Sequence, residues 1–194
     1  MFTESVIMKH WFFTLLFLLL APFAAVTAQD MPLSLFLKPG ESWNELPPTK
    51  PPVASPVAVT IPGLGSAVAT VFSPDGGTLY VAAKAGRHVW AFQIGKNGQP
   101  QNPAPYCPLR LKKSAESLMV TDLIVDIAGR IYAATPDGIQ VFDPTGRLSG
   151  VLHLPEPGIP TRLGWEGEGR DLLIVWINRK KYGRVMNTSG LPGH

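Results

Sequence analysis

The sequence predicts an all-β fold on three observations. Short segments rich in β-branched and aromatic residues recur between turns that contain Gly, Asp or Asn, which is the pattern of strands joined by tight connections. No stretch after residue 28 shows a convincing run of apolar residues at helical period. With 45% hydrophobic and 16% charged residues, the chain differs from a disordered chain, which has low hydrophobicity and high net charge.

Residues 1–28 have the layout of a secretory signal peptide. Lys9 starts a short basic segment, residues 11–20 (WFFTLLFLLL) are almost entirely apolar, and Ala25–Ala28 offers the small residues that a signal peptidase reads. The apolar run is shorter than the about 20 residues that cross a bilayer. We therefore expect a cleaved signal rather than a retained anchor, a secreted or periplasmic protein, and no membrane association after cleavage.

Residues 29–62 are interpreted as a leader followed by a proline-rich linker. Met31–Leu46 is apolar at first and then polar, and Pro47–Pro62 (PPTKPPVASPVAVTIP) is rich in proline. Because proline fixes φ and lacks a backbone donor, this second segment should be extended rather than helical. It is predicted to be either a linker or a first edge strand.

One strand–turn–strand unit recurs three times over residues 63–190, and residues 191–194 form a tail. The step from Leu79 to Ile131 is longer than the step from Ile131 to Leu172, which fits propeller blades with an insertion at Gly95–Glu116 in the first unit. A β-sandwich would also have short strands and regular turns, but it does not require internal similarity. The predicted strands are Thr78–Ala83, His88–Ile94, Arg130–Thr135, Ile139–Asp143, Asp171–Ile177 and Tyr182–Met186.

The number of blades is too small for a closed ring. Closed propellers have about 4–8 four-stranded blades, and at about 40–45 residues per blade this chain holds about three. The sequence therefore predicts a partial propeller, an arc that exposes two sheet faces. Such an arc could dimerise into a complete ring, bind another chain, or be a decayed remnant.

Charge and cysteine content exclude several classes of protein. The 17 basic and 14 acidic residues give a net charge of +3, too small to indicate a nucleic-acid partner. Cys107 is the single cysteine, so neither a disulfide scaffold nor a cysteine-based metal cluster is expected. Cys107 is most simply a small apolar residue of the core.

Several passages resemble the gluconolactonase family, which also contains senescence marker protein (regucalcin) and the luciferin-regenerating enzyme. Ser73–Gly77 (SPDGG) followed by Thr78–Val81 (TLYV) is similar to a blade of that family, and Gly138–Arg147 (GIQVFDPTGR) is the most specific match, close to bacterial secreted members. The resemblance covers residues 57–190 and implies the second half of a six-bladed β-propeller. The early blades would then be absent between the leader and the first recognisable blade.

The family resemblance implies a divalent cation, calcium or zinc, at the central axis, where bound water attacks a sugar lactone. Its ligands are an early-blade Glu, an Asn before the SPDG-type turn, and an Asp that also serves as general base. The Asn position falls on Val68, the Asp position on Thr121, and the Glu has no counterpart. A one-residue slip would bring Asp122 inward, although strand alternation would ordinarily turn it to the opposite face. Thr121 and Asp122 are thus the candidate metal ligands, and Asp122 is the candidate base.

The alternative for Asp122 is a solvated turn carboxylate, and turn chemistry is also expected for four other aspartates. Two functions stay open: a lactone hydrolase with a degraded site, and a non-catalytic propeller remnant that binds a protein or a sugar. Burial of Trp165 and Trp176 would count against a sugar site on exposed tryptophan faces. His88 and His153 are too isolated in sequence to indicate zinc. The other turn aspartates are Asp75, Asp126, Asp137 and Asp143.

Overall fold

The computed structural model describes residues 32–53, 56–83, 86–110 and 120–191. The predicted signal peptide (residues 1–28) and most of the predicted tail lie outside these residues. A 3₁₀ turn at Leu33–Leu35 precedes strands arranged in three antiparallel sheets. No helix within the described ranges is long and apolar enough to cross a membrane. The strands are β1 (Asn44–Leu46), β2 (Thr60–Ile61), β3 (Gly65–Phe72), β4 (Thr78–Ala83), β5 (His88–Ile94), β6 (Pro100–Pro108), β7 (Asp122–Val125), β8 (Ile131–Thr135), β9 (Gly138–Phe142), β10 (Leu148–Leu152), β11 (Pro160–Glu166), β12 (Leu172–Ile177) and β13 (Lys180–Val185).

Each sheet is one blade of a partial propeller. The first has the order β2-β3-β4-β5-β6, the second β7-β8-β9-β10, and the third β11-β12-β13-β1. Apart from β1, which lies beside β13, the strands within each sheet follow one another in sequence order. β7 contacts both β3 and β11, so the three sheets stand side by side with the second in the middle. The predicted all-β fold, a segment of about three blades, is confirmed.

The strands β7, β8 and β9 of the second blade are buried on both faces, which explains why a strand such as β8 is mostly apolar along its whole length. Ile131 and Ala133 pack toward the first blade, whereas Tyr132 and Ala134 pack toward the third. Successive side chains of a strand point to opposite faces, so all of β8 is core.

The predicted insertion at Gly95–Glu116 is wrong for most of its length. Pro100–Pro108 forms β6, the fourth strand of the first blade, and pairs with β5 from His88↔Pro108 to Ile94↔Pro100. Its prolines conceal it in the sequence, because proline cannot donate to a ladder. It tolerates them as the outermost strand, where the register is interrupted and Asn102 adopts a positive φ of 53°.

The leader is part of the third blade rather than a separate segment. Its strand β1 pairs with β13 through Asn44↔Gly183, Glu45↔Tyr182 and Leu46↔Lys181. The third unit has only three strands of its own, and this distant segment supplies the fourth.

Upstream of β1, the leader is anchored between the second and third blades. Phe36 is fully buried and meets Tyr132 edge-on, with ring centroids 6.2 Å apart. Leu37 forms an isolated β-bridge with Met186. The leader therefore shares the core that joins these two blades.

The proline-rich segment runs from the third blade to the first. The Thr49 carbonyl accepts a hydrogen bond from Trp176 Nε1 at 3.2 Å, and the Val57 N–H donates to Thr70 Oγ1 on β3 at 2.8 Å. Residues 56–61 alternate between outward and inward positions and end at the fully buried Ile61, which packs with Leu79. Of the two predicted interpretations, the edge strand is correct for β2, and the segment covers apolar residues that an open arc would expose.

Candidate functional site

Asp122 lies at the first position of β7 and is 6% exposed. Its Oδ1 accepts a hydrogen bond from Arg162 Nη1 at 2.8 Å, and its Oδ2 accepts one from the Leu163 backbone N–H at 2.8 Å. The prediction of a solvated turn carboxylate is wrong, because Asp122 belongs to a strand whose face is covered by β11 of the third blade. Its role as a base or metal ligand stays a prediction.

Arg162 joins this carboxylate to the proline-rich segment. Its side chain is 14% exposed, and its Nε donates to the Pro52 carbonyl at 2.9 Å. Sequence reasoning missed this residue. The repeat spacing could have indicated it. The same step that leads from Ile131 to Leu172 leads from Asp122 to Leu163, which is next to Arg162 in the following blade.

The electrostatics of the pair are a balance of opposing effects. Burial raises the pKa of the Asp122 carboxyl, while the Leu163 N–H and the Arg162 guanidinium lower it. The net direction is upward, so removal from water outweighs these contacts. A buried carboxylate without a partner would destabilise the fold strongly, so Asp122 needs the charge of Arg162 beside it.

The other positions implied by the family resemblance lie nearby but offer little to a cation. Thr121 precedes β7, and both its N–H and its hydroxyl donate to the Ala134 carbonyl, at 3.0 and 3.5 Å. Val68 is half-buried in β3 and packs against the core between the first and second blades. An isopropyl group has no electron pair to donate to a metal.

This donor set does not fit calcium or zinc. A hard cation needs several converging oxygens, and both Asp122 oxygens already accept hydrogen bonds from N–H groups, one of them cationic. Among the residues that the structure describes, no group of three or more His, Cys, Asp or Glu side chains could hold a metal ion.

Asp126 forms a second buried polar cluster, at the turn after β7. It is fully buried, its Oδ1 accepts from the Ala128 and Arg130 backbone N–H groups, and its Oδ2 accepts from Arg130 Nη1 at 2.6 Å. Tyr132 and Thr188 hydroxyls also donate to Oδ2, at 3.1 and 3.0 Å. The predicted turn role is confirmed, and the contacts describe a structural network rather than a reactive group.

Two further aspartates have the predicted turn role. Asp75 Oδ1 accepts from the Gly77 N–H at 3.0 Å, and Asp143 Oδ1 accepts from the Thr145 and Arg147 N–H groups at 2.8 and 3.1 Å. Their carboxylates serve the local backbone.

Trp165 and Trp176 are buried, and His88 and His153 lie in different blades. Trp165 and Trp176 are 6% and 5% exposed, which argues against a sugar site on their ring faces. His88 lies in β5 of the first blade, whereas His153 follows β10 of the second, so no imidazole pair forms.

Comparison with known proteins agrees with this architecture. The family model described as "SMP-30/Gluconolactonase/LRE-like region" matches residues 51–178. Gluconolactonase from Zymomonas mobilis is 26% identical over 117 residues, which cover 58% of this chain and 33% of that protein.

Solved structures show the same fold. A gluconolactonase from Xanthomonas campestris superposes with a TM-score of 0.50 at 22% identity, covering 62% of this chain and 37% of that one. The calcium-binding protein regucalcin from Agrobacterium tumefaciens gives a TM-score of 0.55 at 14% identity, covering 66% and 50%. The chain thus spans between a third and a half of the length of these relatives. Because the family model matches well over half of the chain, this protein belongs to the SMP-30/gluconolactonase/LRE-like family.

Proposed function

We propose that this chain is an exported, gluconolactonase-like propeller protein whose three-bladed arc does not hydrolyse lactones by itself and acts as a non-catalytic binding protein. The observation that carries the proposal is the position of Asp122, 2.8 Å from Arg162 Nη1 and 2.8 Å from the Leu163 nitrogen. Export is supported by the layout of residues 1–28.

Metal-assisted hydrolysis requires a cation to bind beside the base and lower the pKa of its bound water. Two like unit charges at about 4 Å repel by about 4 kcal/mol at an effective dielectric constant of 20, so a divalent cation beside Arg162 would face about twice that repulsion. Of the residues placed at or beside the family's ligand positions, Val68 and Thr121 carry no charge and Asp122 is anionic. The guanidinium therefore takes the place that a metal would need.

The test is a panel of sugar lactones assayed at pH 7 with calcium or zinc added. We expect the secreted chain and its Asp122→Asn variant to match the buffer rate. The Zymomonas gluconolactonase, assayed in parallel, controls for the assay. Turnover by the native chain above the buffer rate that calcium or zinc stimulates would contradict the proposal.

A second candidate is lactone hydrolysis by an assembly. It is favoured by one observation, that the related gluconolactonases are two to three times as long as the matched portion of this chain. A second copy or another chain could complete a six-bladed ring, supply the missing cation ligands and leave Asp122 as base. Light scattering tests this candidate: a ring requires a dimer or hetero-complex that gains lactonase activity, and an inactive monomer at all concentrations opposes it.

A further inference from the structure

A groove of about 600 Å³ lies between the leader, the end of β10 and β13. It is of the size that small-molecule sites commonly have. Its lining includes none of the residues around Asp122. The polar and aromatic side chains that line it are Glu41, Ser42, Trp43, His153, Tyr182 and Arg184.

Arg184 is the feature of the groove that most needs explanation. Its Nε is buried, and none of the described residues accepts a hydrogen bond from it. No ion pair with Arg184 is formed within those residues either. Because Nε is shielded from solvent, a ligand in the groove would meet the charge of the guanidinium rather than this atom. A carboxylate would supply the counter-charge that the described residues do not, and arginine suits carboxylates in geometry as well as charge.

The aromatic side chains are held in place by contacts at their polar ends. Trp43 Nε1 donates to the His153 carbonyl at 2.8 Å, and the Tyr182 hydroxyl donates to Glu156 Oε2 at 2.8 Å. Because these anchors fix the rings before any ligand binds, little side-chain freedom is lost on binding.

Glu41 and Ser42, which precede Trp43 in the leader, also line the groove. A carboxylate and a hydroxyl accept hydrogen bonds well from alcohol groups. Glu41 would repel a ligand that carries only negative charge, so the ligand must place its anionic group toward Arg184 and neutral hydroxyls toward Glu41.

We propose that this groove binds an acidic sugar, a pyranose that carries one carboxylate. The carboxylate accepts hydrogen bonds from Arg184, the C–H face of the ring packs on the partly exposed Trp43, and the hydroxyls donate to Glu41 and Ser42. This site is independent of Asp122, so it survives if the proposed loss of lactone hydrolysis is wrong.

The experiment is calorimetric titration of the secreted chain with glucuronate, methyl glucoside and propionate. Glucuronate should bind saturably, and each of the others about tenfold or more weakly, since one lacks the charge and the other lacks the ring. If methyl glucoside binds as tightly as glucuronate, Arg184 does not recognise a carboxylate. If propionate binds as tightly as glucuronate, the sugar ring contributes nothing to binding. Failure of glucuronate to bind would overturn the proposal.

Variants locate the ligand. Arg184→Gln should weaken glucuronate binding about tenfold or more, whereas Arg87→Gln, at an exposed arginine of the first blade, should leave it unchanged. If Arg184→Gln does not fold, hydrogen exchange of the native chain decides. Glucuronate should slow exchange at residues 41–43 and 182–184, and protection confined to other segments would place the ligand elsewhere.

Discussion

Arg162 in β11 donates from Nη1 to Asp122 Oδ1 in β7 across 2.8 Å, and this pair joins the third blade to the second at their inner strands. The same arginine donates from Nε to the Pro52 carbonyl, so the proline-rich segment is attached at the same point. The carboxylate predicted as the candidate base therefore holds three parts of the fold together.

Asp122→Asn should destabilise the protein strongly. The variant leaves the Arg162 guanidinium, which is 14% exposed, without its anionic partner, and breaking a buried pair on one side costs about 3–5 kcal/mol. Urea denaturation monitored by tryptophan fluorescence measures the loss. Glu168→Gln, at an exposed carboxylate, is the control and should lie within about 0.5 kcal/mol of the native chain. A small change in both would mean that the pair is not structural.

Phe36→Ala should show that the leader belongs to the core. Phe36 is fully buried beside Tyr132 and lies 5.3 Å from the Arg130 guanidinium carbon, measured to its ring centroid. Truncating a buried phenylalanine costs about 3–5 kcal/mol. Leu35, one residue earlier, is 52% exposed, so Leu35→Ala is a matched control with little expected effect. Similar unfolding midpoints for the two variants would place the leader outside the cooperative core.

Thr188→Val should weaken the polar cluster around Asp126. The Thr188 hydroxyl donates to Asp126 Oδ2 at 3.0 Å and accepts from Arg130 Nη1 at 3.2 Å. Loss of these contacts at similar side-chain volume should cost about 1–3 kcal/mol, because Asp126 is fully buried. Ser189 accepts a hydrogen bond from the Ile127 N–H through its backbone carbonyl, which Ser189→Ala keeps. This variant should therefore be nearly neutral in the same urea experiment. A neutral Thr188→Val would show that the cluster does not need this hydroxyl.

The free energy of unfolding should fall in alkaline solution because the Tyr80 hydroxyl ionises. Burial raises the pKa of Tyr80 to about 12, and its ring stacks on Tyr106 with centroids 5.7 Å apart. Because the folded-state pKa lies above the unfolded value of about 10, the folded chain holds the proton more tightly. This contribution is complete below pH 10 and is lost as the pH rises through 12.

Tyr80→Phe removes the ionisable group and tests that pH dependence directly. The variant should show a flatter decline of unfolding free energy between pH 10 and 12 than the native chain. Parallel declines would assign the alkaline instability to other groups.

Cys107 should react slowly with thiol reagents. Its side chain is fully buried between the first and second blades, and burial raises the pKa of the thiol to about 12. The thiolate is the reactive form, so little is available at pH 8. The native chain should label with a disulfide reagent only at the rate of unfolding, whereas the chain in urea should release one equivalent at once. Rapid labelling of the folded chain would contradict the predicted burial.

Local patterns made the two central strands of each blade predictable. β4 and β5 match the expected ranges because strong β-forming runs such as TLYVAA are bounded by turns, and Gly76 at positive φ lies in the turn just before β4. Lys181 shows what local patterns miss. It lies in β13, buried, and its Nζ pairs with Glu166 at 2.8 Å, a contact with another strand of the blade that its sequence neighbours do not indicate.

The non-local contacts could not be read from the chain. Nothing in residues 44–46 indicates that they pair with β13, because that pairing depends on an unfilled edge formed by residues far along the sequence. The Asp122–Arg162 pair also depends on how two neighbouring blades stack. The alternation of strand residues indicates which face of the sheet Asp122 occupies, but it does not indicate which residue pairs with it.

A double-mutant cycle over Asp122→Asn and Arg162→Met tests the central claim most directly, that the pair is structural. With both charges removed, no buried ion is left uncompensated, so the double variant should be more stable than the sum of the single losses predicts. We predict an interaction free energy of about 2–3 kcal/mol from urea denaturation of the four proteins. An interaction free energy near zero, with each single variant as stable as the native chain, would contradict the account.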